Sequence, residues 1–372
     1  MDKQQLIYRI GLTLLSGVGP VSAKNLIGYC GSCQSVFEKS LKELSKVPGI
    51  GKKMATNIIA TKDEILKRAE EEGDFIANNN IKPIFFFDKA YPRRLKSCAD
   101  APVLLYFKGN VNFNAAKVVS IVGTRRATDY GKDLCEKLVK GLSKYKDILV
   151  LSGLAYGIDY AAHRACLKYQ VPTVGVLAHG LDRIYPPAHF NTAQRMMTDG
   201  GVLTEFVSQS RPDRENFPQR NRIVAGMSDA TIIVETAQKG GSMITAQMAH
   251  AYNRDVFAFP GQVGEKYAKG CHYLIKHNIA GLIEDAEDLA LALSWNEEEG
   301  KEVATQKELF VELSDEERKL AKVLRMQAKT MYIDEICHKL KWTNSTVAAT
   351  LLSLEFKGFV KAMPGQMYKL NV

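Results

Sequence analysis

Six short apolar segments, at 118–122, 148–151, 173–177, 202–205, 231–234 and 256–259, constrain this chain more than any other feature. Stretches with apolar residues at helical spacing separate them. Strands that alternate with helices pair through crossovers rather than hairpins, and the result is a mainly parallel, doubly wound sheet of Rossmann-like type. Two further short strands, at 84–87 and 103–107, precede the series. Such sheets hold their ligands beyond the carboxyl ends of the strands. Function is therefore sought first in the residues that follow each apolar segment.

Both flanks carry their own patterns. Leu15-Ser16-Gly17-Val18-Gly19-Pro20 recurs as Val47-Pro48-Gly49-Ile50-Gly51-Lys52, and the constant offset also pairs Ala23 with Ala55 and Leu26 with Ile58. This internal repeat predicts two helix-hairpin-helix units, a SAM-like arrangement. Glycine-rich hairpin turns can admit a phosphate to a helix N-terminus, or can simply make tight turns between packed helices. Both readings stand, and Lys52 and Lys53 favour the second unit as the binder. After a polar, aperiodic stretch around Asn296-Glu297-Glu298-Glu299-Gly300-Lys301, a capped helix start at Ser314, two amphipathic helices and a glycine-turned hairpin predict a winged helix. Such a module serves either DNA or protein partners. The expected organisation is a helix-hairpin-helix domain at 1–76, a Rossmann-like DNA-binding domain at 81–294, a linker at 295–312 and a winged-helix domain at 313–372.

The formal net charge of +9 suits a polyanionic partner. Met1-Asp2-Lys3-Gln4-Gln5 resembles no signal peptide, and no apolar run approaches the ~18 residues that span a bilayer. A cytoplasmic protein without a membrane partner is expected. The seven cysteines are scattered, which fits reduced thiols, and Cys30 and Cys33 read as small residues near a helix end rather than as metal ligands.

A dinucleotide-binding fold would follow its first strand with three spaced glycines. Here the turn reads Gly123-Thr124-Arg125-Arg126, with two guanidiniums at the anion-binding point. The second turn contains Gly153, with Asp159 and His163 one helical turn apart; Asp159 is read as a helix cap and His163 as part of a hydrogen-bonded network. The stretch 211–222 holds Arg211, Arg214, Phe217, Arg220, Asn221 and Arg222. An aromatic ring among arginines suits single-stranded nucleic acid, since the ring stacks a base while the arginines neutralise phosphates. The alternative makes Phe217 a core anchor. Lys239, Gly241 and Ser242 form one more candidate anion site at a helix start, and Lys266 and Lys269 sit on a last loop of the same rim. The neighbours Cys271 and His272 are not expected to act as a dyad.

Together Gly123-Thr124-Arg125-Arg126, Ser152-Gly153-Leu154-Ala155-Tyr156-Gly157, Gly180-Leu181-Asp182-Arg183-Ile184-Tyr185-Pro186, Phe217-Pro218-Gln219-Arg220-Asn221-Arg222, Gly240-Gly241-Ser242-Met243 and Phe259-Pro260-Gly261 resemble the DNA-processing protein A family, DprA or Smf, in order and spacing. The resemblance implies a non-catalytic, cofactor-free homodimer that binds single-stranded DNA and helps load the RecA recombinase during transformation or repair. It implies Arg125 as a principal phosphate contact, with Arg220, Arg222 and Phe217 lining the groove. Tyr156 stands where relatives often carry Arg or Lys, and 187–190 lacks a basic residue found in some, leaving His189 as a partial substitute. Two rival readings are a nucleoside monophosphate hydrolase acting through Glu235 and a winged-helix regulator of duplex DNA.

Overall fold

The computed structural model describes residues 2–295, 313–327, 330–363 and 365–370. Five helices open the chain: α1 (Lys3–Leu14), α2 (Pro20–Cys30), α3 (Cys33–Glu38), α4 (Leu41–Leu44) and α5 (Lys52–Asn78). The sequence repeat is also a backbone repeat. Gly17 and Gly49 take φ of 80° and 81°, a region costly for any side chain, and Gly19 and Gly51 are the N-caps of α2 and α5. Cys33 begins α3 just beyond the end of α2, and both Cys30 and Cys33 are free thiols.

Two outer strands follow, β1 (Lys82–Phe85) and, after the short helix α6 (Arg93–Lys96), β2 (Leu104–Asn110). Ile81, Phe85, Val103, Leu104 and Tyr106 share one core with Leu26, Ile58 and Ile76 of the helical region. The helices and the sheet edge thus bury a common surface.

The alternating region gives β3 (Lys117–Val122), α7 (Asp129–Leu142), β4 (Ile148–Ser152), α8 (Ile158–Tyr169), β5 (Thr173–Val176), α9 (Phe190–Met196), β6 (Gly200–Thr204), α10 (Asn216–Gly226), β7 (Ala230–Ile233), α11 (Gly241–Ala251), β8 (Asp255–Ala258), α12 (Lys269–Lys276), β9 (Gly281–Leu282) and α13 (Ala286–Ala292). The nine-stranded sheet runs β1-β2-β6-β5-β4-β3-β7-β8-β9, parallel from β6 to β9. β2 pairs antiparallel with both β1 and β6. All six expected strands are present. β3 and β4 are buried at every position, as a sheet covered on both faces requires.

The C-terminal unit comprises α14 (Asp315–Gln327), β10 (Met331–Tyr332), α15 (Ile333–Leu340), α16 (Asn344–Phe356), β11 (Val360–Met363) and β12 (Met367–Leu370). Its three strands order β10-β12-β11, and Leu320, Ile336, Val347, Leu351 and Leu354 fill its core, which makes it a winged helix. Ser314 and Glu317 exchange the two bonds of a capping box at the start of α14. Of the expected linker, 296–312 lies outside the described residues, whereas Trp295 packs edge-on to Tyr145 with centroids 5.5 Å apart.

Candidate nucleic-acid interface

The chain winds outward from β3 through β4, β5 and β6, then crosses back to place β7 on the other side of β3. The switch point therefore lies between β3 and β7, and open α/β sheets take ligands near it, beyond the carboxyl ends of the strands. The Thr124 N–H donates to the Glu235 carbonyl (2.7 Å), and the Ile158 N–H donates to the Thr124 carbonyl (3.2 Å). These bonds fix the Gly123-Thr124-Arg125-Arg126 turn against both neighbours. Gly123 itself lies tight against Ile158 and Glu235, while Arg125 and Arg126 are exposed.

The Arg125 guanidinium lies over the half-buried Phe217 ring, 4.9 Å from its centroid. That contact orients the fork and leaves its N–H donors for an incoming anion. Arg125, Phe217, Arg220, Tyr156, Tyr185 and His179 line one crevice at the carboxyl ends of β3, β4 and β5. Lys239 and Gly241 are exposed at the start of α11. The Thr236 N–H donates to the Tyr267 carbonyl (2.6 Å), and the Gly270 N–H to the Thr236 carbonyl (2.9 Å). The exposed Lys266 and Lys269 therefore continue the same rim.

Below the crevice lies a buried charge network. Arg220, 5% exposed, donates to the Val176 carbonyl and to Asn221 Oδ1. It is the floor of the crevice rather than an outward arm, and burial pulls its pKa down. Gly153 is buried as well: an added Cβ would stand 2.6 Å from Arg220 Nη1 and overlap the Asp159 carboxylate. Its missing side chain makes room for these two charged groups. Gly157, not Asp159, is the N-cap of α8; burial pushes the Asp159 carboxyl up to about 6 against the opposing pull of Arg220. His163 does sit in a network, with Nε2 2.6 Å from the Gly153 carbonyl and Nδ1 2.8 Å from Thr173 Oγ1. A carbonyl only accepts, so Nε2 carries the proton, and burial lowers the imidazole to about 4.

Three other expected contacts point inward. Arg222 is 6% exposed, ion-paired to Glu205 and donating to the Asp100 carbonyl, so it joins α10 to the outer sheet and does not line the groove. Asn221 Nδ2 donates to the Gly241 carbonyl (3.3 Å), tying α10 to α11. The Ser242 hydroxyl is buried 2.7 Å from that of Thr236. His189 is 2% exposed with Nδ1 2.9 Å from the Leu154 carbonyl, and cannot replace an absent surface cation. Cys271 is buried beneath β7, its thiol pushed up to about 12 by burial, and it forms no dyad. Sequence reasoning singled out neither His179 nor the ring of Tyr185 as crevice walls; a tyrosine directly before a proline beyond a strand end was the available signal.

Among the described residues no three His, Cys, Asp or Glu side chains gather as a metal-binding group. An exposed guanidinium at the switch point, an aromatic partner and a rim of lysines stand on the carboxyl edge of a protein of the doubly wound α/β class. Residues 82–294 match the DNA recombination-mediator protein A family, residues 10–61 a SAM-like helix-hairpin-helix tandem, and residues 307–366 the DprA winged helix domain. The chain belongs to this DprA/Smf family of recombination-mediator proteins. It is 31% identical to the Smf protein of Synechocystis sp. over 99% of its own length and 100% of the relative. The DNA processing protein A structure from Streptococcus pneumoniae superimposes with a TM-score of 0.63 at 30% identity, covering 77% of this chain and 97% of that one. The protein of the same name from Helicobacter pylori, described for its single-stranded DNA binding mode, gives 0.53 at 28% identity over 58% of this chain and 96% of that one.

Proposed function

We propose that this protein binds single-stranded DNA along the carboxyl rim of its sheet and acts, as a cytoplasmic homodimer, to help a RecA-type recombinase assemble on that strand. The observation that carries the reading is Arg125, exposed at the switch point and steadied over Phe217. Arg126, Lys239, Lys266 and Lys269 extend the positive rim beside it. Arg220 sets the potential of the crevice from below. The single-strand binding described for the H. pylori relative supports the same ligand.

The rival readings meet specific obstacles. The Glu235 carboxylate accepts from the Thr128 N–H (3.0 Å) and hydroxyl (2.5 Å), which occupies it in holding the start of α7. A nucleotide-hydrolysing role would need it free. Across α16, where a duplex-reading winged helix carries base-contacting side chains, there is no Lys or Arg, and Leu352 and Phe356 face outward at 54% and 84% exposure. The test is recombinase filament assembly on single strands already coated with single-strand-binding protein. The full chain is expected to speed assembly and Arg125→Ala to abolish that gain. Tighter binding to duplex than to single strand, unaffected by Arg125→Ala, would overturn the proposal.

A further inference from the structure

The two flanking units join the sheet in different ways. The N-terminal helices share a buried apolar core with β1 and β2, and Glu72 of α5 accepts from the Ser208 N–H (2.9 Å) and hydroxyl (2.5 Å). The core of the winged helix closes on itself: Leu320, Ile336, Val347 and Leu354 pack only with residues of their own unit. Among the described residues no apolar cluster spans the winged helix and the sheet. A polar contact at Arg254 joins them instead.

Arg254 directly precedes β8, as Asp229 precedes β7 and Ala116 precedes β3, so it stands on the amino edge of the sheet, away from the crevice at Arg125. It is 3% exposed. Nη2 donates to the Arg94 carbonyl (2.6 Å) and to Ser97 Oγ (2.9 Å), but Nε and Nη1 are buried with no hydrogen-bond partner among the described residues. Two residues of the winged helix meet this guanidinium. Gly365, in the turn between β11 and β12, lies so close that an added Cβ would overlap Arg254 Nη1. Tyr332 pairs with Met367 beside that turn, and burial raises its pKa against the pull of Arg254 and Arg94. Its hydroxyl is likewise buried without a partner among the described residues. Arg94 is already engaged, by Asp229 (2.5 and 2.7 Å) and by the Ala115 and Ala116 carbonyls (3.0 Å each).

The wing thus takes water from two guanidinium donors and a hydroxyl without replacing their hydrogen bonds, which disfavours the docked form. Lifting the wing returns all three to water. We propose that the winged helix is a reversibly docked arm, closed when the Gly365 turn and Tyr332 sit on Arg254 and open when they leave it. Leu352 and Phe356 of α16 are exposed in the docked form, so docking fixes the direction in which they are presented and does not hide them. The device stands independently of the function proposed above, because it works at the opposite edge of the sheet from Arg125.

The experiment measures spin-label distances in the full chain, with nitroxides at His250→Cys on α11 and Ala348→Cys on α16, both exposed positions. The part-exposed native thiols are removed as Cys30→Ser and Cys337→Ser, and excess unlabelled protein restricts the signal to pairs within one chain. This parent chain is expected to show a short and a longer distance. Tyr332→Phe removes the unpaired hydroxyl and should raise the short-to-long ratio roughly 5- to 150-fold. Gly365→Asn, whose side chain tolerates the positive φ but collides with Arg254, should shift the ratio toward the longer distance. Both variants should bind single strands as the parent does. A parent chain with one distance only, or a Tyr332→Phe chain shifted toward the longer one, would overturn the proposal and leave the proposed function standing. A variant that loses single-strand binding would also overturn it, since the arm would then act on the crevice.

Discussion

Arg222→Ala separates an arginine that builds the fold from one proposed to hold DNA. The Arg222 and Glu205 side chains are 7% and 9% exposed, and the same guanidinium also satisfies the Asp100 carbonyl from the segment before β2. Burial already pushes Glu205 up to about 6 in spite of Arg222. Removing the arginine takes the counter-ion from a buried carboxylate and a donor from a buried carbonyl, a loss of about 3–5 kcal/mol. For a cooperative unit of this size each kcal/mol moves the melting midpoint by about 2–4 °C, so the variant should melt roughly 6–20 °C below wild type. Circular dichroism at neutral pH measures the shift, and a single-strand titration well below the lower midpoint measures binding. Binding should stay within about twofold, because the altered site lies away from the crevice. The double variant Glu205→Gln with Arg222→Met should recover much of the loss, as buried ion pairs often exchange for apolar packing at little cost. A variant that melts like wild type yet fails to bind would refute the reasoning and return Arg222 to the groove.

Gly153→Ala forces a methyl against Asp159 and Arg220 and should cost about 1–3 kcal/mol, with weaker single-strand binding because the crevice floor shifts; urea unfolding and titration read the two effects. Gly49→Ala places a side chain at a φ of 81° and should cost about 1–2 kcal/mol in the same unfolding assay, with Gly51→Ala, at an ordinary φ of −77°, costing less. His163 titrates near 4 when folded and near 6.5 when unfolded, so unfolding takes up a proton between those values. The stability that neutral His163 supplies, on the order of 3 kcal/mol, is therefore present above pH 6.5 and lost as pH falls toward 4. Asp159 has the opposite sign, holding its proton up to about 6 in the fold, so its penalty is relieved over the same fall. The melting difference between wild type and His163→Gln should accordingly narrow from pH 7 to pH 5, and a difference that widens would contradict the assignment.

The central sheet was legible because parallel strands covered on both faces must be nearly continuous apolar runs, and six such runs stand out at 118–259. Their ends moved by a residue or two, since pairing partners rather than hydropathy decide where a strand stops. The hairpin repeat was legible because its glycines answer a backbone requirement at Gly17 and Gly49. The orientations within Arg220-Asn221-Arg222 were not. Consecutive helical residues point in different directions, and the groups that claim them, Val176, Glu205, Asp100 and Gly241, are distant in sequence. A basic cluster shows charge but not which charges are already paired. His189 was misread for the same reason: its partners Leu154 and Tyr160 belong to another element. Ile81 and Phe85 gave no sign that the helical region and the sheet edge would bury one core between them.

Salt dependence of single-strand binding tests the central claim most directly, because each neutralised phosphate contributes about 0.7 to the slope of log affinity against log salt. Arg125→Ala should bind more weakly and with a slope shallower by about 0.7, Arg125→Lys should keep the slope, and Arg222→Ala should match wild type. An Arg125→Ala variant with unchanged affinity and unchanged slope would mean that the switch point holds no DNA phosphate.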